Sequence, residues 1–78
     1  MYRELVEYFV GYLVEAKDEI SIEEVQVGDR IVLKLKVAQA DMGRVIGKDG
    51  RIVKAIREII RAYSARQNEK VSLDIVEE

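Results

Sequence analysis

The chain contains no cysteine, no histidine and no proline. Without cysteine there are neither disulfides nor thiolate metal sites. Without histidine the commonest general base and the commonest metal ligand are both missing. A hard cation held by carboxylates alone is the metal chemistry left, and no ligand spacing suggests one. The lack of proline, of low-complexity runs and of internal repeats speaks against linkers and tandem arrays. No apolar run reaches the ~18 residues of a membrane span. Arg3, Glu4 and Glu7 interrupt the stretch where a signal peptide needs its apolar segment. The expectation is a soluble, cytoplasmic protein without membrane insertion. Besides tyrosine, the hydroxyl groups are those of Ser21, Ser64 and Ser72, with no nucleophile-plus-base pattern around them. Neither an enzyme nor a cofactor is expected.

What is present is 49% apolar residues, enough for a core, in 78 residues that suit one domain spanning 1–78. A domain this small buries only about 60% of the surface its unfolded chain exposes, so its stability margin is modest. The formal net charge of −2 conceals a segregation. Residues 1–29 set Arg3 and Lys17 against eight acids, a net of −6. Residues 30–70 set eleven lysines and arginines against Asp41, Asp49, Glu58 and Glu69, a net of +7, and the tail from Val71 adds −3. Such asymmetry points to a polyanion held on one face; equally, the two halves can simply attract each other. The pI of about 5.2 argues against indiscriminate affinity for nucleic acid.

Residues 1–16, MYRELVEYFVGYLVEA, have the spacing of a helix. Leu5, Phe9, Tyr12 or Leu13, and Ala16 form its stripe. Val6, Val10 and Val14 widen it beyond the ~100° a surface helix needs, so the band either buries entirely in this domain or, as its width in so small a domain suggests, also serves a partner chain. Gly11 in its middle is unfavourable by about 1 kcal/mol relative to alanine. Ile20, Ile22, Val25 and Val27 then alternate with polar residues, and Glu23-Glu24 shifts the phase as a bulge would. Gly28-Asp29 supplies a turn. In IVLKLKV (31–37), Ile31, Leu33, Leu35 and Val37 share one face; Val32, Lys34 and Lys36 share the other, away from any helices. Asp41 is the expected N-cap of a short helix, Met42 to Ile46. A longer helix runs from Arg51 to about Arg66, with Ile52, Ile56, Ile59 or Ile60, and Tyr63 as its stripe. Arg51, Lys54, Arg57 and Arg61 lie largely outside that stripe. Asn68 suits the C-cap, since asparagine tolerates the left-handed conformation. VSLDIV (71–76) is a last strand with Val71, Leu73 and Ile75 on one face. The order is α-β-β-α-α-β.

Between the last two helices lies GRVIGKDG, residues 43–50. A nucleotide P-loop requires G-x-x-x-x-G-K-[S/T] directly after a strand. Here only three residues separate Gly43 from Gly47, Asp49 stands at the hydroxyl position, and a helix precedes. The dinucleotide fingerprint G-x-G-x-x-G fails on spacing and on the lack of a βαβ unit. What remains is Gly47-Lys48-Asp49-Gly50, a tight turn between two helices. Glycines there let a sugar-phosphate backbone approach the main chain. The helix that starts beside them offers its positive dipole end. Arg44, Lys48, Arg51 and Lys54 add attraction for phosphate, and Ile46 and Ile52 offer an apolar wall for an unstacked base.

VIGKDGRIV (45–53) resembles the (I/V)-I-G-x-x-G-x-x-(I/V) signature of KH domains, RNA-binding modules whose GxxG loop clamps about four nucleotides. The element order is similar to that of the type II form. That form implies a single α+β domain in which a three-stranded sheet carries helices on one face. More narrowly, DMGRVIGKDGRIVKAIR (41–57), between an N-terminal helix and a VSLDIV strand, resembles the small bacterial single-KH proteins of the KhpA (YlqC-like) family. The resemblance covers nearly the whole chain. It implies binding of single-stranded RNA, as a post-transcriptional regulator or RNA chaperone. It also implies a homodimer, or a heterodimer with a larger KhpB/Jag-type KH protein. Carried over, Gly47, Lys48, Asp49 and Gly50 are the clamp, flanked by Arg44, Val45, Ile46, Arg51, Ile52, Val53 and Lys54. The acidic Asp49 departs from an all-basic variable pair, so weak binding with little sequence preference is expected. The alternative is an assembly module that acts mainly by dimerisation, through the first helix or the isoleucine-rich helix after the loop. Of the tyrosines, Tyr2, Tyr8 and Tyr12 lie on the first helix, and none is on a strand. Core or interface is expected for them rather than base stacking.

Overall fold

In the computed structural model, which describes residues 2–77, the alternating segment Arg30–Lys36 is the central strand of a three-stranded sheet. The elements are α1 (Tyr2–Leu13), β1 (Ser21–Val27), β2 (Arg30–Lys36), α2 (Met42–Ile46), α3 (Arg51–Arg66) and β3 (Lys70–Ile75). Single 3₁₀ turns at Lys17–Glu19, Gln39–Asp41 and Lys48–Gly50 join them. The strand order is β1-β2-β3, with β1 antiparallel and β3 parallel to β2. This is the α+β architecture of a single KH domain, with the helices on one face of the sheet.

The alternation in β2 decides which face that is. Leu33, Leu35 and Val37 are buried together with Val71 and Leu73 of β3, Val6 and Val10 of α1, Val45 of α2, and Ile56 and Ile60 of α3. Each fully buried aliphatic side chain of this kind contributes about 1.5–3 kcal/mol. On the opposite face Arg30, Lys34 and Lys36 are exposed.

Local chemistry sets the joints. Gly28, at φ +61, takes the first of the two loop positions between β1 and β2, where tight hairpin turns need positive φ. Asn68, at φ +59, ends α3 in a Schellman motif. There the Asn68 N–H bonds to the Ala65 carbonyl at 3.1 Å and the Glu69 N–H to the Ser64 carbonyl at 2.9 Å. Tyr2 at the start of α1 packs edge-on against Tyr63 of α3, ring centroids 5.6 Å apart, and donates its hydroxyl to Glu69. Burial, and then Glu69, push the Tyr2 pKa up to about 12.

Several expectations need correction. The core stripe of α1 is Tyr2, Val6, Val10 and Val14; Leu5, Phe9 and Leu13 are half-buried, and Tyr12 is 76% exposed. The helix is apolar over more than half its circumference, so periodicity alone does not locate the centre of its buried face. Of the two isoleucines left open in α3, Ile60 is the buried one and Ile59 is exposed, which is a choice between alternatives and no correction. There is no bulge at Glu23-Glu24, because β1 pairs with β2 residue for residue from Ser21↔Lys36 to Val27↔Arg30. Ile22, Glu24 and Gln26 therefore share the helix-side face, and Val25 meets Val32 on the open one; an edge strand tolerates the two polar residues because their ends reach solvent. Finally, α1 stops at Leu13, and Asp41, though it stands at the N-cap position of α2, makes no capping bond with its side chain. Its buried carboxylate instead accepts the backbone N–H of Glu15 at 3.1 Å and of Ala16 at 3.0 Å, which turns the chain out of α1.

Those two backbone bonds, with the Arg44 guanidinium beside them, hold the Asp41 carboxyl below the usual carboxylate range. A carboxyl depressed in the folded state stabilises the fold above its unfolded pKa of about 4, and that contribution is lost as pH falls through the folded value. Asp41→Asn is expected to lower the thermal midpoint at neutral pH by several degrees. The gap to the natural protein should close as the pH drops below about 4, as followed by circular dichroism melts. A gap that is unchanged in acid would mean that the charge of Asp41 is not what holds the joint.

Candidate nucleic-acid interface

The loop between α2 and α3 is shaped by three residues in positive-φ conformations: Gly47 (φ +78), Asp49 (φ +58) and Gly50 (φ +72). At Gly47 a second constraint applies. A Cβ there would stand 2.6 Å from Cγ1 of Ile52, so any side chain would push the start of α3 off the end of α2. At Gly50 nothing lies within 4 Å of the corresponding point. That glycine keeps the outer surface of the turn bare. Asp49 holds the left-handed position that aspartate tolerates better than most residues, at about 1 kcal/mol or more.

The turn closes on itself, with the Gly50 N–H bonded to the Gly47 carbonyl at 3.1 Å, and Arg51 enters helical geometry at once. Among the described residues, no side chain caps the N-terminus of α3. Its positive dipole end therefore opens beside Gly47 and Gly50.

The structure sorts the predicted site residues into three groups. Lys48, Asp49, Arg51 and Lys54 are exposed around the two half-buried glycines, and no hydrogen bond or ion pair among the described residues engages their side chains. Ile46 and Ile52 are half-buried at the base of the loop, whereas Val45 and Val53 are buried and turn into the core. Arg44 is drawn the other way. Its guanidinium donates to the Asp41 carboxylate at 3.1 Å and to the Ala40 carbonyl at 3.2 Å, and pairs with Glu15 at 3.3 Å. It belongs to the joint between α1 and α2.

Two clefts adjoin the loop region. One, of about 470 Å³, lies between α2 and the ends of β2 and β3, walled by Met42, Ile46, Val37 and Val76 with Lys36 and Glu77 at its rim. The other, of about 460 Å³, runs between α3 and β3 and holds Lys54, Arg57 and Arg61. Sequence reasoning placed Arg57 outside the apolar stripe of α3 and gave it no further role. The signal that marks it is spacing: residues 54, 57 and 61 are three and four apart, so they share one flank of α3. Asp41 also escaped the sequence reading in its true role, because its partners are 25 and 26 residues away.

A sequence profile described as the KH domain of KhpA/KhpB matches residues 3–75 of the chain. The RNA-binding protein KhpA of Clostridium acetobutylicum is 45% identical over 74 residues, covering 95% of this chain and 99% of its own. The RNA-binding protein KhpA of Chlamydia trachomatis is 43% identical over 76 residues, covering 97% of each. Among solved structures, Era of Aquifex aeolicus in complex with GDP and aluminium fluoride superposes with a TM-score of 0.62 at 16% identity. That match takes in 95% of this chain but only 29% of the Era chain, and at such identity it speaks for the fold alone. With full-length relatives above 40% identity and a profile match across nearly the whole domain, this chain belongs to the KhpA/KhpB family of KH-domain proteins.

Proposed function

We propose that the protein binds single-stranded RNA by gripping its sugar-phosphate backbone at Gly47–Gly50. The observation that carries this reading is the loop itself: a bare, glycine-lined turn against a helix N-terminus without a side-chain cap, ringed by cations that have no partner among the described residues. Main-chain N–H groups and the dipole meet the phosphates, and Lys48, Arg51 and Lys54 add point charges. Ile46 and Ile52 give the displaced bases an apolar surface. Duplex RNA is disfavoured, because its bases are not free to leave the stack. The relatives named as RNA-binding proteins support the same ligand. The role proposed is that of a cytoplasmic post-transcriptional regulator or RNA chaperone.

A second observation favours pairing with another KH chain, in the first place a second copy. Ile59 and Tyr63 of α3 and Leu5 of α1 line an apolar hollow of about 470 Å³, with Tyr8 and Tyr12 exposed further along α1. Contiguous exposed apolar surface of this kind marks an interaction site. It lies on the α1 flank of α3, across the helix from Lys54, Arg57 and Arg61. A dimer formed there leaves the loop open.

Fluorescence anisotropy with a short single-stranded RNA at two salt concentrations tests the first reading. Neutralising about three phosphates gives a log–log salt slope of about −2. Lys48→Asp, shown folded by circular dichroism, is expected to bind about tenfold more weakly. Equal binding by the variant would remove the loop from the interface. For the second reading, light scattering on a sizing column should report a dimer that Ile59→Glu converts to a folded monomer. A natural protein that stays monomeric at high concentration would refute self-pairing and leave a KhpB/Jag-type chain as the candidate partner.

A further inference from the structure

We propose that the outer face of α1, at Tyr8, Gly11 and Tyr12, receives an arginine side chain from an extended, arginine-rich segment of another protein. Tyr8 and Tyr12 are 62% and 76% exposed. One turn apart on the helix, they stand edge to face, with ring centroids 5.2 Å apart, planes at 82° and hydroxyls 3.4 Å apart. Phe9 backs Tyr8 edge-on, its centroid 5.9 Å away. The pair is thus held in place with ring surface open to solvent. Among the described residues neither ring meets a cation. Beside them Gly11 leaves the helix backbone bare, since nothing lies within 4 Å of the point a Cβ would occupy. Inside a helix only proline is less favourable than glycine, and no packing among the described residues calls for one here. Glu7 and Tyr8 stand one turn above it. A planar group laid over Gly11 therefore meets a ring on one side and a carboxylate on the other.

The charge around this face decides what that group is. Residues 1–29 carry a net of −6. Glu7 is exposed and has no partner among the described residues, and Glu4 lies one turn above Tyr8 on the same face. Arg3, the one cation of α1, is set well round the helix from both tyrosines. Exposed aromatics also suit base stacking, yet a phosphodiester strand is repelled by these acids. An arginine answers both features: its guanidinium lies flat on an aromatic face, and its fork of N–H donors takes a carboxylate. A lysine ammonium has no plane to stack. Several arginines of this chain are already engaged elsewhere: Arg44 by Asp41 and Glu15, Arg57 through its Nε by the Leu73 carbonyl at 3.1 Å, and Arg61 by Glu58. The guanidinium comes from another chain, and the negative charge of the whole segment favours one that carries several. Self-pairing is centred on Ile59 and Tyr63, at the level of Leu5. Tyr8 and Tyr12 lie one and two turns further on, with the bare backbone of Gly11 and the Glu7 carboxylate beside them.

Fluorescence anisotropy at low salt, with a labelled Arg-Gly repeat peptide and its Lys-Gly counterpart, tests the assignment. The natural protein should bind the arginine peptide about three- to fivefold more tightly, the difference expected of an exposed cation–π contact. Tyr8→Leu combined with Tyr12→Leu keeps apolar bulk without the rings, so it should bind both peptides alike. Gly11→Gln covers the bare backbone with a residue better suited to a helix. It should bring arginine-peptide binding down to the lysine level while the thermal midpoint stays level or rises. Ile59→Glu, which should not self-pair, is expected to bind as the natural protein does. All variants are checked by circular dichroism. Equal binding of the two peptides by the natural protein, or binding of neither, would overturn the proposal, as would a preference that survives the leucine pair or Gly11→Gln. Peptide binding seen only in Ile59→Glu would give the face to self-pairing instead. A loss of oligouridine affinity in the leucine pair with no change towards the peptides would give it to RNA, and either result sinks the arginine site.

Discussion

The placement of α2 depends on the carboxylate of Asp41. A helix of five residues does not stand alone, since nucleation alone outweighs the few bonds it makes. Val45 fixes one side of α2 in the core, and Asp41 fixes its start by gathering donors from the chain leaving α1 and from Arg44. A buried carboxylate is tolerable only when its oxygens are hydrogen-bonded, and the N–H groups past the end of α1 need acceptors as much as Asp41 needs donors. The two requirements meet in one joint. Through it the direction of α1, the start of β1 and the height of the glycine loop above the sheet are all set together.

From that fixed platform the loop follows by sterics. Gly47 lets α3 start directly against the end of α2, and the left-handed pair Asp49-Gly50 reverses the chain within one turn. The consequence is a helix N-terminus without a cap, delivered at the surface. Asp49 is the dissonant member, a carboxylate in a place that suits phosphate. Its backbone conformation supplies a reason for it: of the residues with side chains, aspartate is among the few that sit at φ near +60 without large strain. The price is a negative charge beside Lys48, which keeps attraction for a polyanion moderate.

Much of this was legible in the sequence, and the gaps have physical causes. Strict alternation in residues 31–37 marks a strand with one buried face, the GxxG spacing marks the loop, and Asn68 marks the end of α3. Each signal is local. The buried stripe of α1 was misplaced because Leu5, Val6, Phe9 and Val10 are equally apolar, and only the position of the sheet chooses between them. Ile59 and Ile60 posed the same choice in α3. The apparent phase shift at Glu23-Glu24 reflects partial cover: on an edge strand the helices half-bury Ile22 and leave Glu24 and Gln26 exposed, although all three share a face. Asp41 and Arg57 were missed because their partners come from distant segments, and local spacing describes only a residue's own element.

The charge segregation can now be weighed between its two explanations. If the acidic and basic halves merely attracted each other, the cations of residues 30–70 would be found on acids of residues 1–29. Arg44 does pair with Glu15, and Lys70 with Asp29 at 3.1 Å, while Arg61 takes Glu58 of its own helix. Lys48, Arg51, Lys54 and Arg57 reach no acid among the described residues. Exposed pairs of the first kind are worth about 0–1 kcal/mol each, too little to explain eleven cations in forty-one residues as an internal glue. These four lie together, from the loop down the β3 flank of α3, and the exposed Ile59 lies on the α1 flank. Lys34 on the open face of the sheet and Arg66 at the end of α3 likewise reach no acid among the described residues. Mutual attraction therefore leaves these cations unexplained, which favours the polyanion reading of the charge segregation.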